Sequence, residues 1–545
     1  MSDNSQQFTK THFEKNSYTG ALVMDMPSIR LTNNINSFFT NDLNFRDIFL
    51  TSPVINFQKQ NNSLTTAHPN TALPSIKIDH IEMRDPVINL QVGQDLYEKK
   101  ISLPYSKGNE ITADGIQFAG SGITLDALNI HSRKAQITGR EKAFSVDNGI
   151  DLHLSKINIS TGDSTEWNAI LTKLNINNSV GYEFNIKENK LFLKDIKVEG
   201  CRLSSASIKN IGLLLSSNQN AVISTSSAKY FTKNSTWQIS NMSFDAGRQL
   251  LKLDSVNYQP VMSRDSFIAS NPYQIDYMTF NSGNIKLYGF DLNKYVNKRI
   301  LYIQNATVSR PNLTVFRDKF PPFREGITKE MFTEKIRSIP FPVSINQINI
   351  KDGKVSYTEK NEKNRLEGNL LLTNLNGNIL NIKNHDNKTI DSLSLALTGR
   401  MLDQAFFDLK LNQSYTDPAK GFVMALSIEP ASLLFLNPLL TPLSNVKFTS
   451  GSIDKFQMTA NGNETSAQGE MKFYYHDMRI QILKNGGLEK AGFIKNVESA
   501  LVNFFILKNN NTSRTGLIYF KRLQDRSFFN YMNKIIFSGV ITSTG

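Results

Sequence analysis

Apolar and polar positions alternate along much of this chain, and the alternation slips phase at recurring places. Val343 and Ile345 are apolar at spacing two, two polar residues intervene, and Ile348 and Ile350 resume the pattern. It resumes again at Val355 and Tyr357, after Asp352-Gly353. Alternation of β-branched and aromatic residues predicts a strand with one buried face. The extra residue between Ile345 and Ile348 calls for a β-bulge or a tight bend, and Asp352-Gly353 for a turn.

The same unit recurs. Ile76, Ile78, Ile81 and Met83 lead to Asp85-Pro86 and then Ile88 and Leu90; Ile123, Leu125, Leu128 and Ile130 lead to Ala135 and Ile137. Leu152 to Ile159 and Leu191 to Val198 give the first half again, while Tyr273 to Leu287 and Leu301 to Val315 give the whole. Their uneven spacing rules out a fixed-period solenoid. The copies predict one task repeated: a strand, a bend and a return strand. The expected fold is mainly β, an elongated twisted antiparallel sheet or groove with short helical caps.

The pattern divides the chain into five stretches. Residues 1–72 read as a variable segment, with Ala21 to Met26 and Phe38-Phe39 as short strands or a small helix and Gln58 to Asn70 as a mobile loop. Residues 73–319 form a repeated β region. Residues 320–342 are a proline-bounded connector, with a short helix over Thr328 to Ile336. Residues 343–483 form a second β region, and 484–545 a helix–strand–helix cap. In the cap, Phe493, Val497, Ala500, Leu501, Phe504 and Phe505 recur at helical spacing, Arg514 to Phe520 reads as a strand, and an aromatic-rich helix runs from Phe528-Phe529 to Gly539.

Six apolar residues could touch a membrane or a partner: Leu433 and Phe435 in the run between Pro430 and Pro442, and Phe504, Phe505, Phe528 and Phe529 in the cap. Lys508, Arg514, Lys521 and Arg522 place positive charge near the last four. A cap that merely closes the end of a sheet has the same composition.

The balance of the chain narrows its chemistry. Of 545 residues 39% are hydrophobic, which suits a sheet with one apolar face better than several thick cores. The formal charge of +13 is dispersed among the strands, so it marks no nucleic-acid stripe and is compatible with anionic lipid headgroups. The single Cys201 rules out an intrachain disulfide framework and reads as a small sheet residue. Met1 to Thr19 has no apolar core of signal-peptide length, and no later run approaches eighteen apolar residues, so the reading is a soluble or peripheral protein. Seven dispersed histidines give no metal constellation, and no phosphate loop, nucleophile elbow or zinc motif stands in a convincing context. Catalytic, cofactor and metal assignments are none, and a non-enzymatic role is expected.

The repeated L-x-I-x-x-I-x-I unit, as in Val343 to Ile350 and Leu191 to Val198, resembles the AsmA/TamB-like envelope proteins, especially the large AsmA-like members of Bacteroidetes. Arg514 to Phe520, followed by Arg526 to Val540, resembles the closing element of those chains. The resemblance spans Leu73 to Gly545. It implies a long groove-like sheet lined with apolar side chains and a part in phospholipid transport or outer-membrane homeostasis, facing the periplasm. Relatives begin with a single membrane anchor, a segment that Met1 to Thr19 does not supply. The implied partners are phospholipid or another acyl lipid, a membrane surface and envelope proteins; no nucleic acid is expected.

Candidate groove positions are Ile275, Phe280, Ile303, Val308, Ile345, Ile348 and Ile350. The first expectation is lipid handling or transport and cell-envelope maintenance through an apolar β groove. The alternative is a structural or protein-binding β scaffold whose apolar faces are filled by its own packing. A continuous open apolar face separates the first from the second.

Overall fold

The computed structural model describes residues 5–17, 20–33, 43–59, 75–92, 99–119, 122–139, 143–146, 149–161, 165–177, 182–186, 188–207, 214, 218, 220–387, 391–484, 489–490 and 508–545. They form a large, mainly antiparallel β-sheet architecture with only short helical segments. The chain divides into two interleaved compact units. The first comprises Met1–Asn185, Leu191–Ala228 and Asn241–Arg248; the second comprises Ile186–Lys190, Lys229–Ser240 and Gln249–Gly545.

In the first unit, regular strand begins at Ser5 rather than near Leu73. Ser5–Ser17, Gly20–Asn33, Leu43–Thr51 and Val54–Lys59 are all strands. The reason is legible: Leu43-x-Phe45-x-x-Ile48-x-Leu50 is a further copy of the repeated unit. Phe38-Phe39 and most of the Gln58 to Asn70 stretch lie outside the described residues.

The expected reversal within each copy does not occur. Val343–Lys360 is one strand that passes through Asp352-Gly353 without turning back. Asp352 is left-handed there, with φ +53°, and Arg310 in the neighbouring chain segment matches it at +47°. The strands Leu301–Ser309 and Asn312–Asp318 both pair parallel with Val343–Lys360, and the register is the same on either side of these two residues. Backbone bonds from Arg310 N to Lys351 O and from Lys354 N to Pro311 O, both 2.7 Å, carry the ladder across the kink.

The first unit repeats the device. Leu43–Thr51 and Val54–Lys59 pair parallel with Ile76–Arg84 and Val87–Val92, and Ser52 and Asp85, both at φ +49°, stand side by side between them. A turn signal in sequence is thus a kink in structure. One left-handed residue shifts the side-chain phase, and the neighbouring strand kinks at the same place, so pairing survives. Asp and Asn tolerate this conformation through their short polar side chains. Pro53, Pro86 and Pro311 come directly after three of these residues, at positions where the ladder is already interrupted.

The second unit carries the described α-helices. Phe332–Arg337 realises the expected connector helix, while the run after Pro430 becomes a 3-10 turn, Leu433–Leu436, and a helix, Asn437–Ser444. Arg264–Ala269 and Leu292–Lys298 are short helices that the pattern does not predict. Phe528–Thr544 is a helix that continues through Gly539 instead of ending there. Ser527 caps its start, accepting a hydrogen bond from Asn530 N. The expected helix over Phe493 to Phe505 lies outside the described residues.

Candidate functional site: an apolar sheet face

Cross-strand register turns the scattered apolar positions into continuous rows. In the first unit Phe8, Ile29, Leu50, Met83, Ile111 and Ile130 stand opposite one another in successive strands, and the row runs on through Leu152 and Leu174 to Val198. Beside it, Leu31, Ile48, Ile81, Ala113, Leu128 and Leu154 form a second row that ends at Leu171 and Cys201. Beyond the Ser52/Asp85 kink, Phe13, Met24, Ile55, Ile88 and Leu103 form a third.

The kinks keep these rows on one face. Buried Ile78, Ala113 and Ile116 are packed by Phe45, Ile48, Ile81, Leu125 and Leu128, which come from both sides of a phase slip. Leu103, from the third row, packs in one cluster with Ile150, Ile176 and Ile196. In both clusters the shielding groups come from strands of the same sheet. Most row members are accordingly half-buried, where two opposed layers would bury them almost fully. Gly115 shows why one kink needs glycine: at φ +63° its Cβ would sit 2.1 Å from the Asp126 carboxylate.

The opposite face is polar and internally bonded. His80 Nδ1 lies 2.6 Å from the Asp114 carboxylate, His131 Nδ1 2.5 Å from that of Asp151, and His12 Nδ1 2.6 Å from that of Asp25. His153 meets Asn129, which in turn donates to Thr112 Oγ1. His131 and His153 are thus on adjacent strands, each with its own partner. The Asp25 hydrogen bond raises the His12 pKa above its ordinary value. Among the described residues no group of three or more His, Cys, Asp or Glu side chains is placed to hold a metal ion. Cys201 is buried, and burial pushes its thiol pKa up, away from the reactive thiolate.

In the second unit one row is half-buried over much of its first half, although Ala306 there is 3% exposed, and is buried at its end. Leu251, Leu287, Ala306, Ile348, Ile379 and Leu395 stand in register, and the row continues through Leu411, Met424 and Ala460 to Ile518. Ile348, Ile379 and Leu395 are half-buried, whereas Leu411, Met424 and Ile518 are 3%, 0% and 2% exposed. What changes is the cover. The helix Phe528–Thr544 lies on the last strands, and a Cβ on Gly539 would come within 2.9 Å of Met471 and Ile518 side-chain atoms. Phe528 packs against Phe332 and Phe422, with ring centroids 4.9 and 5.2 Å apart.

The seven candidate groove positions divide accordingly. Ile303 and Ile345 are register partners, as are Ala306 with Ile348 and Val308 with Ile350. Phe280 joins a different row, with Tyr258 on one side and Leu313 on the other. Ile275 precedes its strand and is half-buried. Only Ile303 is fully buried, and none of the seven belongs to the closed core beneath the final helix.

The contact candidates need correction. Leu433, Phe435 and Phe528 are 1%, 2% and 2% exposed, so they are core and offer nothing to a membrane. Alternate residues of the 3-10 turn point inward, which leaves Leu434 outside at 42%. Phe529 is exposed, with its ring 5.9 Å from that of Tyr357. Phe504 and Phe505 lie outside the described residues. The rows of the first unit went unselected by sequence reasoning, although the copies at Leu43 and Ile76 signal them.

A two-faced sheet, with apolar rows that are mostly half-buried among the described residues on one side and hydrogen-bonded polar side chains on the other, is the class of architecture these rows define. No family model, no curated protein and no solved structure matches the chain. Among the described residues no helix is long and apolar enough to cross a membrane.

Proposed function

We propose that the chain binds acyl lipid along its half-buried apolar rows and serves lipid handling or transport in maintenance of a cell envelope, without covalent chemistry. The observation that carries this reading is the half-buried state of most members of row after row. Each methylene that leaves water contributes about 0.8 kcal/mol. A chain lying on an open face gains part of that at each row, so binding is spread over many shallow positions and favours sliding over trapping. The polar face stays solvated, as a lipid headgroup does. The resemblance of the strand unit to AsmA/TamB-like envelope proteins points the same way.

The closed rows at Leu411, Met424 and Ile518 favour a second reading, a structural or protein-binding scaffold that fills its own apolar surface. Native mass spectrometry with lipid extraction separates the two. The lipid reading expects bound phospholipid, lost when Ile348→Asn and Ile350→Asn are combined in a chain that keeps its circular dichroism. A folded chain that takes up no lipid from vesicles returns the assignment to a scaffold.

A further inference from the structure

Among the described residues the strand Ser5–Ser17 is paired on one side only. Gly20–Asn33 supplies its neighbour, and among the described residues no other strand bonds to it. Backbone N–H and C=O groups along the outer side of such a strand are the template on which strands add. Two apolar rows also run out at this edge. Phe8 and Phe13 are their first members and are 47% and 44% exposed, while Leu50, further along the Phe8 row, is 6% exposed.

We propose that this edge pairs antiparallel with the same strand of a second copy of the chain, with Phe8 opposite the partner's Phe13. The strand is complementary to itself in that register. Both phenylalanines meet phenylalanines by two-fold symmetry, Thr9 faces the partner's His12, Gln7 faces the partner's Glu14, and no like charges stand opposite. A slip of one residue sets Phe8 against the partner's His12 or Glu14 and turns the apolar faces to opposite sides of the joined sheet.

The left-handed Lys10, at φ +55°, is no obstacle. It would stand one position off its counterpart, and the molecule already holds such a pair. Asp352 and Asn374, at φ +53° and +50°, stand one position off each other between the partnered pairs Ile350–Gly377 and Val355–Leu372. The joined sheet would continue the Phe8 row of one copy into the Phe13 row of the other.

Sedimentation of the full chain, without lipid, is expected to show twice the chain mass at micromolar concentration. Combining Phe8→Asp with Phe13→Asp is expected to return it to one chain mass with circular dichroism unchanged. Register is read by cross-linking in a Cys201→Ala background. Directly opposed residues lie about 4.5–5.5 Å apart at Cα, within disulfide reach. Two copies of one site would be about 17 Å apart, five residues along the strand. A mixture of Phe8→Cys and Phe13→Cys chains should therefore form a covalent dimer under mild oxidation, and neither alone should. A single-chain mass at all concentrations, or cross-linking no better in the mixture than in either variant alone, overturns the proposal. Neither measurement depends on lipid, so the outcome is independent of the proposed function.

Discussion

The first unit and the C-terminal part of the second are both built from strands of alternating apolar and polar residues, yet the rows of one are mostly half-buried and those of the other are buried. Leu128 and Leu411 make the contrast concrete. Each is a leucine at the middle of an apolar cross-strand row; Leu128 is half-buried among neighbours of its own sheet, and Leu411 is 3% exposed within a packed core. The difference lies in the helices that pack on the second unit's sheet: Phe332–Arg337 against the strand of Leu411, Asn437–Ser444 against the same core, and Phe528–Thr544 over the last strands. Phe528, Tyr531, Met532, Ile535 and Gly539 recur at helical spacing, which gives the last of these a face to lay on the sheet. In the first unit the described α-helical residue is Leu214, packed where one row ends at Leu171 and Cys201. Alternation makes an apolar face; a second amphipathic element decides whether it is left open.

Substitutions that treat both regions alike expose the contrast most sharply. Leu411→Ala is expected to lower unfolding free energy by about 3–4 kcal/mol, since a packed core retains the cavity. Leu128→Ala should cost about 1 kcal/mol, because its surroundings are already open. Denaturant unfolding of the two variants measures the gap, and equal losses would mean that the first unit is covered in solution. Next in size, Gly539→Val should cost about 2 kcal/mol by lifting the helix off Met471 and Ile518. Hydrogen exchange over Thr515–Lys521 should then accelerate; unchanged protection would show that the cover does not rest on that contact.

A kink substitution tests what the two regions share. Asp352→Val should destabilise by about 1–2 kcal/mol, because a β-branched residue resists the left-handed conformation, whereas Asp352→Gly should be close to neutral. The reverse order, read from thermal unfolding, would deny Asp352 its conformational role. The smallest effect is electrostatic. Burial alone would push the Asp318 carboxyl up, but its paired hydrogen bonds with Arg365 at 2.8 and 2.7 Å, the Phe320 N–H and nearby Lys360 outweigh it. The carboxyl is therefore held below its usual value. That contribution is fully present above the unfolded-state pKa of about 3.9 and is lost as pH falls through the lower folded value. With Arg365 partly exposed it amounts to under about 1 kcal/mol. Asp318→Asn should flatten the acid limb of the stability curve slightly, and an unchanged limb would remove the pair from the account.

Much of the sheet was legible because alternation is local. Ile345, Ile348 and Ile350 announce a strand, and the polar pair between them announces a phase slip. Direction was not legible. Asp352-Gly353 has the composition of a hairpin turn, but the strand runs on between two neighbours kinked beside it, the parallel one at Arg310 and the antiparallel one at Asn374. Burial was legible still less. Leu433 and Phe435 look like a surface anchor between prolines, but Gly451 leaves room for Leu433 to enter the core: a Cβ there would sit 2.9 Å from its Cδ1. Likewise Phe528 and Phe529 are adjacent and chemically identical, and helical phase alone sends one inward and the other out. The rows themselves depend on register between strands far apart in sequence, which no single window of the chain contains.

The aligned left-handed residues also have a mechanical consequence. Ser52 beside Asp85, and Arg310 beside Asp352, are creases: lines at which adjoining strands change direction together without giving up their bonds. A creased plate flexes readily about the crease and stiffly across it. Each unit is therefore compliant in one direction chosen by a few Ser, Asp and Arg positions, and a lone replacement there would strain one strand against a neighbour still folded along the old line.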